Sequence, residues 1–174
     1  MSIRLPRPGL GRSSRRAALL LAAIGAGACR DRPAPPPEFG VSLDLARERA
    51  ARISDLRYTL AFAIPDERTA PVTGRAAISL TLADTDGPLV LDFRGDSASV
   101  ADLVVNGDSI VPELTPVHVV IPASALKPGP NTVSLRFTAA DEALNRQDEF
   151  LYALFVPDRA STAFPCFDQP DLKA

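Results

Sequence analysis

Apolar and polar residues alternate with a period of two along much of the chain, and this pattern predicts β-strands. In the run 74–82, Ile78, Leu80 and Leu82 alternate with Ser79 and Thr81. The other runs that predict strands cover residues 56–64, 89–93, 100–105, 108–111, 117–121, 132–138 and 149–156. The last of these runs is mostly apolar at consecutive positions, which predicts a central strand that is buried on both faces.

Turn signals separate these runs. Asn106 and Gly107 tolerate the positive φ angles of a two-residue hairpin turn, and they predict the register of the strands on either side. Residues 123–126 predict a single helical turn, and the Pro- and Gly-rich residues 127–131 predict a break before the next strand. Seven or more strands with almost no helix indicate an all-β fold, an antiparallel sandwich or saddle with one wet face.

A short helix is predicted before the first strand, from Leu43 to Arg52. Leu43, Ala46, Ala50 and Ile53 can share one helix face, and the opposite face then carries interleaved acidic and basic residues. We therefore predict a helix within residues 41–54 that leads into a β domain over residues 55–174, a length sufficient for a core of its own.

The first 28 residues have the three-part layout of an export signal peptide. They contain five arginines and no acid, followed by an apolar stretch over residues 17–24 that is too short to span a membrane. Arg15 and Arg16 resemble a twin-arginine motif, so the twin-arginine and the ordinary secretory routes both stay open. The compartment predicted is the cell envelope of a bacterium.

Cys29 follows small residues that resemble a lipobox, and it is the predicted site of lipid attachment. The Pro-rich residues 29–40 would then form an extended linker that holds the domain off the membrane, on the periplasmic or the outer surface. The alternative is ordinary cleavage after Ala28, which would give a secreted chain with an incidental cysteine. With Cys29 acylated no internal disulfide is possible, and Cys166 is predicted to be a small buried hydrophobe.

Charge excludes one class of partner. Removal of the five basic residues of the signal from the 19 in the chain leaves 14 against 21 acidic residues, a net charge of −7. Such an acidic domain is not expected to bind nucleic acid.

No catalytic or metal-binding group of residues is predicted within the chain. The single histidine, His118, lies among valines in a predicted strand, where we expect it to face solvent. One histidine cannot form a zinc site alone, because such a site needs about three protein ligands. The acid pairs at 141–142 and 148–149 fit a solvated loop better than a general-acid pair.

The most specific string in the chain stands near its end. Its residues are Phe164, Pro165, Cys166, Phe167, Asp168, Gln169 and Pro170. This string resembles the signature that closes the N-terminal β domain of the aminopeptidase N family of zinc metallopeptidases. The resemblance extends over residues 55–174, through the strand led by Gly74, the Asn106-Gly107 hairpin and the strand after Gly129. Within the signature we expect a structural role, in which Asp168 accepts hydrogen bonds from nearby backbone amides.

The resemblance implies a parent enzyme that removes N-terminal residues from peptides. In such enzymes a second domain binds the catalytic zinc through a His-Glu-x-x-His helix and a distant Glu. The His-Glu-x-x-His motif does not occur in this chain. We therefore expect the chain to be an N-terminal fragment of such an enzyme, with the missing catalytic domain as its partner. The chain alone is expected to be inactive and to have no cofactor of its own. The alternative is a stand-alone β-sandwich lipoprotein that serves as a binding or interaction module.

Two departures from the family pattern stand out. Gln169 occupies a position where the commonest family form has Glu. Leu154 and Val156 occupy the positions where many members carry a Gln and a Glu that hold the substrate's free amino group. Because neither side chain can bind an ammonium group, we assign no substrate-binding residues.

Overall fold

Two antiparallel sheets enclose one apolar core in the computed structural model, which describes residues 40–95 and 99–172. The predicted signal peptide and Cys29 lie outside the described residues. The helices are α1 (Leu43–Arg52) and α2 (Ala160–Ala163). The strands are β1 (Ile53–Ala63), β2 (Thr73–Leu82), β3 (Leu89–Asp92), β4 (Val100–Val105), β5 (Asp108–Ser109), β6 (Glu113–Leu114), β7 (His118–Ile121), β8 (Gly129–Thr138), β9 (Leu144–Arg146) and β10 (Leu151–Ala153).

The five-stranded sheet has the order β1-β2-β8-β4-β5, and the three-stranded sheet has the order β3-β7-β6. A two-stranded sheet, β10-β9, stands beside them. The predicted alternation is confirmed in β2 and β8: Ile78, Leu80, Val133, Leu135 and Phe137 are buried, and the residues between them are more exposed. The all-β, antiparallel fold predicted from this alternation is therefore the observed fold.

The hairpin at Asn106-Gly107 is also confirmed. The two turn residues have φ angles of +52° and +98°, which few residues other than Asn and Gly adopt without strain. The turn joins β4 to β5 with Val105 opposite Asp108.

The break predicted at residues 127–131 extends too far along the chain. β8 begins at Gly129, so that Pro130 pairs with Thr81 of β2. Proline has no backbone N–H to donate to a neighbouring strand. It is tolerated at position 130 because β4 pairs with β8 only as far as Val133, so no strand of the described residues lies beside Pro130 on that side.

The prediction of a central strand over residues 149–156 is wrong. Only Leu151–Ala153 forms a strand, β10, and its sole sheet partner among the described residues is β9. Every residue from Gln147 to Arg159 is exposed. The apolar composition that suggested burial instead creates an apolar surface.

Helix α1 has the predicted bounds, but the predicted face is wrong. Ser42 caps its start by accepting a hydrogen bond from the Leu45 amide at 3.2 Å. Leu43 is 63% exposed, whereas Arg49 is only 2% exposed. The buried side of the helix thus presents a cation to the β domain. Within residues 40–95 and 99–172, no helix is long and apolar enough to cross a membrane.

Candidate functional site

A buried polar cluster ties both ends of the described chain to the small sheet. It consists of Arg49 from α1, Asp92 at the end of β3, His118 at the start of β7, and Asp168 and Gln169 from the signature. We call these five residues the Arg49–Asp92 clamp. A concavity of about 400 Å³ lies against the clamp, and Asp92, His118, Asp168 and Gln169 contribute to its wall.

Arg49 is held by hydrogen bonds from both of its terminal nitrogens. Its guanidinium donates to the two oxygens of Asp92 at 2.9 and 2.7 Å, a bidentate geometry. It also donates to the Val90 carbonyl at 2.8 Å and to Gln169 Oε1 at 3.3 Å. The ring of Phe167 lies 5.3 Å from the Arg49 Cζ atom, close enough for a cation–π interaction. These contacts offset the cost of burying the charge.

Asp92 joins the sheet to the signature through its side chain and its backbone. Its Oδ2 accepts a hydrogen bond from the Asp168 amide at 2.8 Å. Its own amide donates to the Cys166 carbonyl at 2.7 Å, and the Cys166 amide donates back at 3.0 Å. Burial opposes ionisation of Asp92, but hydrogen bonds from His118 and Arg49 outweigh it, and the pKa of the carboxyl lies below its ordinary value.

His118 is buried, and the prediction of a solvent-facing strand residue is wrong. Its side chain is fully buried, and its Nδ1 lies 3.1 Å from Asp92 Oδ1. The reason is that β7 lies between β3 and β6, and all four of its residues are buried. His118 therefore faces the Asp92 carboxylate and is part of the clamp.

The signature residues make hydrogen bonds within the domain. Asp168 accepts a hydrogen bond from the Ser161 amide at 2.9 Å, and the Phe167 amide donates to the Tyr58 hydroxyl at 3.0 Å. Cys166 is buried, as predicted, and burial raises the pKa of its thiol well above the usual range. Burial also raises the pKa of the Tyr58 hydroxyl. A neutral, enclosed thiol is a poor nucleophile.

The Gln169 side chain both accepts and donates hydrogen bonds in the clamp, which an ionised carboxylate could not do. Its Oε1 accepts from Arg49 while its Nε2 donates to the Ala46 carbonyl at 3.1 Å and to Asp171 at 2.8 Å. An amide can accept and donate together, whereas an ionised Glu only accepts. Gln169 therefore binds helix α1 to the signature.

The polar side chains of the clamp bond mainly to one another and to the backbone of the domain. Arg49, Asp92 and Gln169 are all engaged by residues of the chain itself, and Asp92 is not poised to exchange a proton near neutral pH. Among residues 40–95 and 99–172, no group of three or more His, Cys, Asp or Glu side chains could hold a metal ion. The arrangement holds α1, β3, β7 and the signature together.

A second feature is an exposed apolar surface next to the signature, which we call the apolar arm. Phe150 and Tyr152 stack with ring centroids 6.3 Å apart, and both are more than half exposed. Leu154 is 41% exposed. The arm comprises Phe150, Leu151, Tyr152, Leu154, Phe155 and Val156.

The apolar arm is anchored at both ends. Arg146 of β9 donates to the carbonyls of Arg68 and Ala70, at 2.5 and 2.8 Å. At the other end the Phe155 ring packs edge-on against Phe164 of the signature, with centroids 5.5 Å apart. The arm is thus fixed to the domain while its apolar side chains face outward.

The fold resembles part of a larger enzyme. Native leukotriene A4 hydrolase from Saccharomyces cerevisiae matches with a TM-score of 0.57 and 18% sequence identity, over 80% of this chain and 24% of that chain. The same yeast enzyme in complex with bestatin matches with a TM-score of 0.56 and 18% identity, over the same shares of the two chains. This chain therefore spans about a quarter of the length of the solved structures it matches.

No protein-family model matches the chain, and no curated protein sequence matches it. The likeness at 18% identity is one of fold.

The clamp predicts strong coupling between two substitutions. Arg49→Met and Asp92→Asn should each lower the free energy of unfolding by about 3–5 kcal/mol, because each leaves a buried group without its partner. The double variant should lose clearly less than the sum of the two single variants. Urea unfolding followed by circular dichroism measures all three.

The matched control for this cycle is the exposed pair Arg68 and Asp148, whose side chains are 53% and 86% exposed. Replacing either should cost less than about 1 kcal/mol. Additive losses at Arg49 and Asp92, or losses as small as in the control, would show that the clamp contributes little.

The lowered pKa of Asp92 predicts a specific acid response. Since its folded-state pKa lies below the ordinary value of 3.8, its stabilising contribution is complete above that pH and is lost as the pH falls through the folded-state value. The difference in unfolding free energy between wild type and Asp92→Asn should therefore be constant near neutral pH and shrink below about pH 3.8. Urea titrations at a series of pH values measure it, and a difference that grows on acidification contradicts the assignment.

Proposed function

We propose that this chain is the non-catalytic N-terminal domain of a zinc-dependent metalloaminopeptidase, an enzyme that removes N-terminal residues from peptides. One observation carries the proposal: 80% of the chain shares its fold with 24% of yeast leukotriene A4 hydrolase, a member of the aminopeptidase family that the signature resembles. The resemblance of residues 55–174 to the aminopeptidase N family supports the same assignment. The zinc and its ligands would belong to the catalytic domain.

The apolar arm supports a docking role for this domain. The six apolar residues of the arm are exposed, and the arm is fixed to the domain at the Phe155–Phe164 contact. Exposed apolar surface of this kind marks interaction sites in soluble proteins. The proposed occupant is the catalytic domain of the same enzyme, which would bury the arm, so that Leu154 and Val156 would border the substrate cleft.

The proposed location is the bacterial cell envelope, with a lipid anchor at Cys29. The sequence supports it through the basic and apolar signal over residues 1–28, the small residues before Cys29 and the Pro-rich linker after it. The domain would then work on peptides outside the cytoplasm.

The activity test uses this chain together with a polypeptide of the same family that carries a His-Glu-x-x-His segment and lacks its own N-terminal domain. The 174-residue chain alone should not hydrolyse an alanyl-arylamide, because it lacks the zinc ligands. The two polypeptides together should hydrolyse it, and a zinc chelator should abolish turnover. Chelator-sensitive turnover by the purified chain alone would overturn the proposal.

The contribution of the apolar arm can be separated from folding. Phe150→Ser combined with Tyr152→Ser should weaken the association of the two polypeptides, since both rings are exposed and contribute little to the core. Val111→Ser is the control, because Val111 is 91% exposed and lies outside the arm. Equal association by both variants would remove the arm from the interface.

The anchor predicts a change of fractionation. Cys29→Ser should move the protein from the membrane fraction of the bacterium to the soluble envelope fraction, because acylation at Cys29 would be lost. Metabolic labelling with a fatty acid should mark the wild type alone. Retention of the variant in the membrane fraction contradicts lipid attachment at Cys29.

A further inference from the structure

Two arginines stand side by side on the outer face of the five-stranded sheet. Arg75 of β2 is paired directly with Arg136 of β8, and both side chains are exposed. Directly opposite residues on neighbouring strands have their Cβ atoms only about 4.5–5.5 Å apart, and like charges in such a pair are destabilising. The sheet therefore carries a local excess of positive charge on an otherwise acidic chain.

The neighbours of this pair leave it open to a ligand. In the same row of the sheet, Ala61 of β1 lies beside Arg75 and Ala101 of β4 lies beside Arg136. The rows above and below contribute small side chains, including Ala77 opposite Ser134 and Thr73 opposite Thr138. No long side chain in these rows covers the two guanidinium groups. Two concavities of about 490 and 380 Å³ meet at Arg75 and Arg136.

A backbone irregularity supplies one counter-charge. The register of β4 against β8 shifts between Ala101 and Val104, and at this bulge Asp102 has a φ of +51°. Such an angle is uncommon for a residue other than glycine, and bulges of this kind re-aim a side chain. Here the Asp102 carboxylate lies 2.6 Å from Arg136 Nε.

Asp102 balances only one of the two arginines. Within residues 40–95 and 99–172, the Arg75 guanidinium makes no ion pair or hydrogen bond. Arg136 is 54% exposed and uses its Nε for Asp102, which leaves its terminal nitrogens available. Two adjacent guanidinium groups with unused donors match the planar, two-oxygen geometry of a carboxylate.

We propose that Arg75 and Arg136 form a binding site for a carboxylate group of an acidic peptide. The carboxylate accepts hydrogen bonds from both guanidinium groups, and the neighbouring residues of the peptide lie in the two concavities along the sheet. Asp102 orients Arg136 and competes with the ligand for it. This site is independent of the proposed aminopeptidase function and lies outside the clamp and the apolar arm.

The test is a titration of the full 174-residue chain with tetraglutamate, followed by the NMR signals of the arginine Nε–H groups and backbone amides. Tetraglutamate should shift the signals of Arg75 and Arg136, and tetraglutamine should not. Arg75→Gln and Arg136→Gln should each weaken binding about fivefold or more, because each removes one charged donor. Arg57→Gln is the matched control: Arg57 is exposed on the same sheet but pairs with Ser79, four positions along β2 from Arg75.

A substitution at Asp102 should change the affinity for tetraglutamate in the opposite direction. Asp102→Asn should strengthen tetraglutamate binding about twofold to threefold, since it removes the competing carboxylate while Asn tolerates the positive φ angle. Dispersed amide signals in each variant verify that it is folded. Binding of tetraglutamine equal to that of tetraglutamate, loss of affinity in Arg57→Gln equal to that in Arg75→Gln, or larger shifts with inorganic phosphate than with tetraglutamate would each overturn the proposal.

Discussion

The pairing of a buried guanidinium with a buried carboxylate constrains the rest of this structure. Arg49 and Asp92 are 43 residues apart in sequence, yet both oxygens of the carboxylate accept from Arg49. An isolated charge of either sign would be costly in this interior, so helix α1 and strand β3 must meet at this point. Asp168 and Gln169 then bond to the two charged residues and hold the signature in place.

Residues of the signature make several separate contacts in and around the clamp. Within the signature, Asp168 organises local backbone, Cys166 pairs with the backbone of Asp92, and Phe167 packs beneath the Arg49 guanidinium. The Asp168 and Phe167 contacts are made by side chains, whereas the Cys166 contact is made by backbone atoms. The apolar arm meets the signature where the Phe155 ring packs on Phe164.

The sequence predicted what depends on local pattern. Alternation in β2 and β8 predicted the inward side chains, and Asn106-Gly107 predicted the hairpin, because both follow from backbone geometry over a few residues. Arg49 belongs to the helix face predicted to carry the interleaved charges, and nothing local marks it as buried because its partner, Asp92, is 43 residues away. Arg49 lies three residues after Ala46 and four before Ile53, so it shares a helix face with both. This spacing could have indicated that Arg49 is on the buried side.

Burial of whole strands could not be predicted from composition alone. His118 lies in a run of valines in β7 that is buried on both faces, whereas the equally apolar residues around β10 are exposed. The two strands differ in their neighbours: β7 lies between two strands, and β10 has one partner at the margin of the fold. Whether a strand is buried depends on which other strands pack beside it. That long-range pairing cannot be read from the local pattern of one sequence. The arginine pair on the outer sheet face was likewise hidden, because Arg75 and Arg136 meet only through the β2–β8 register.

Native-state hydrogen exchange tests the clamp most directly. The Asp168 amide donates to the Asp92 carboxylate, and the Asp92 amide donates to the Cys166 carbonyl. If the clamp holds the signature as part of the core, both amides should exchange only with the free energy of global unfolding, as the core amides of β2 and β8 do. Rapid exchange of the Asp168 and Asp92 amides while β2 and β8 stay protected would show that the signature opens independently, and it would contradict this account.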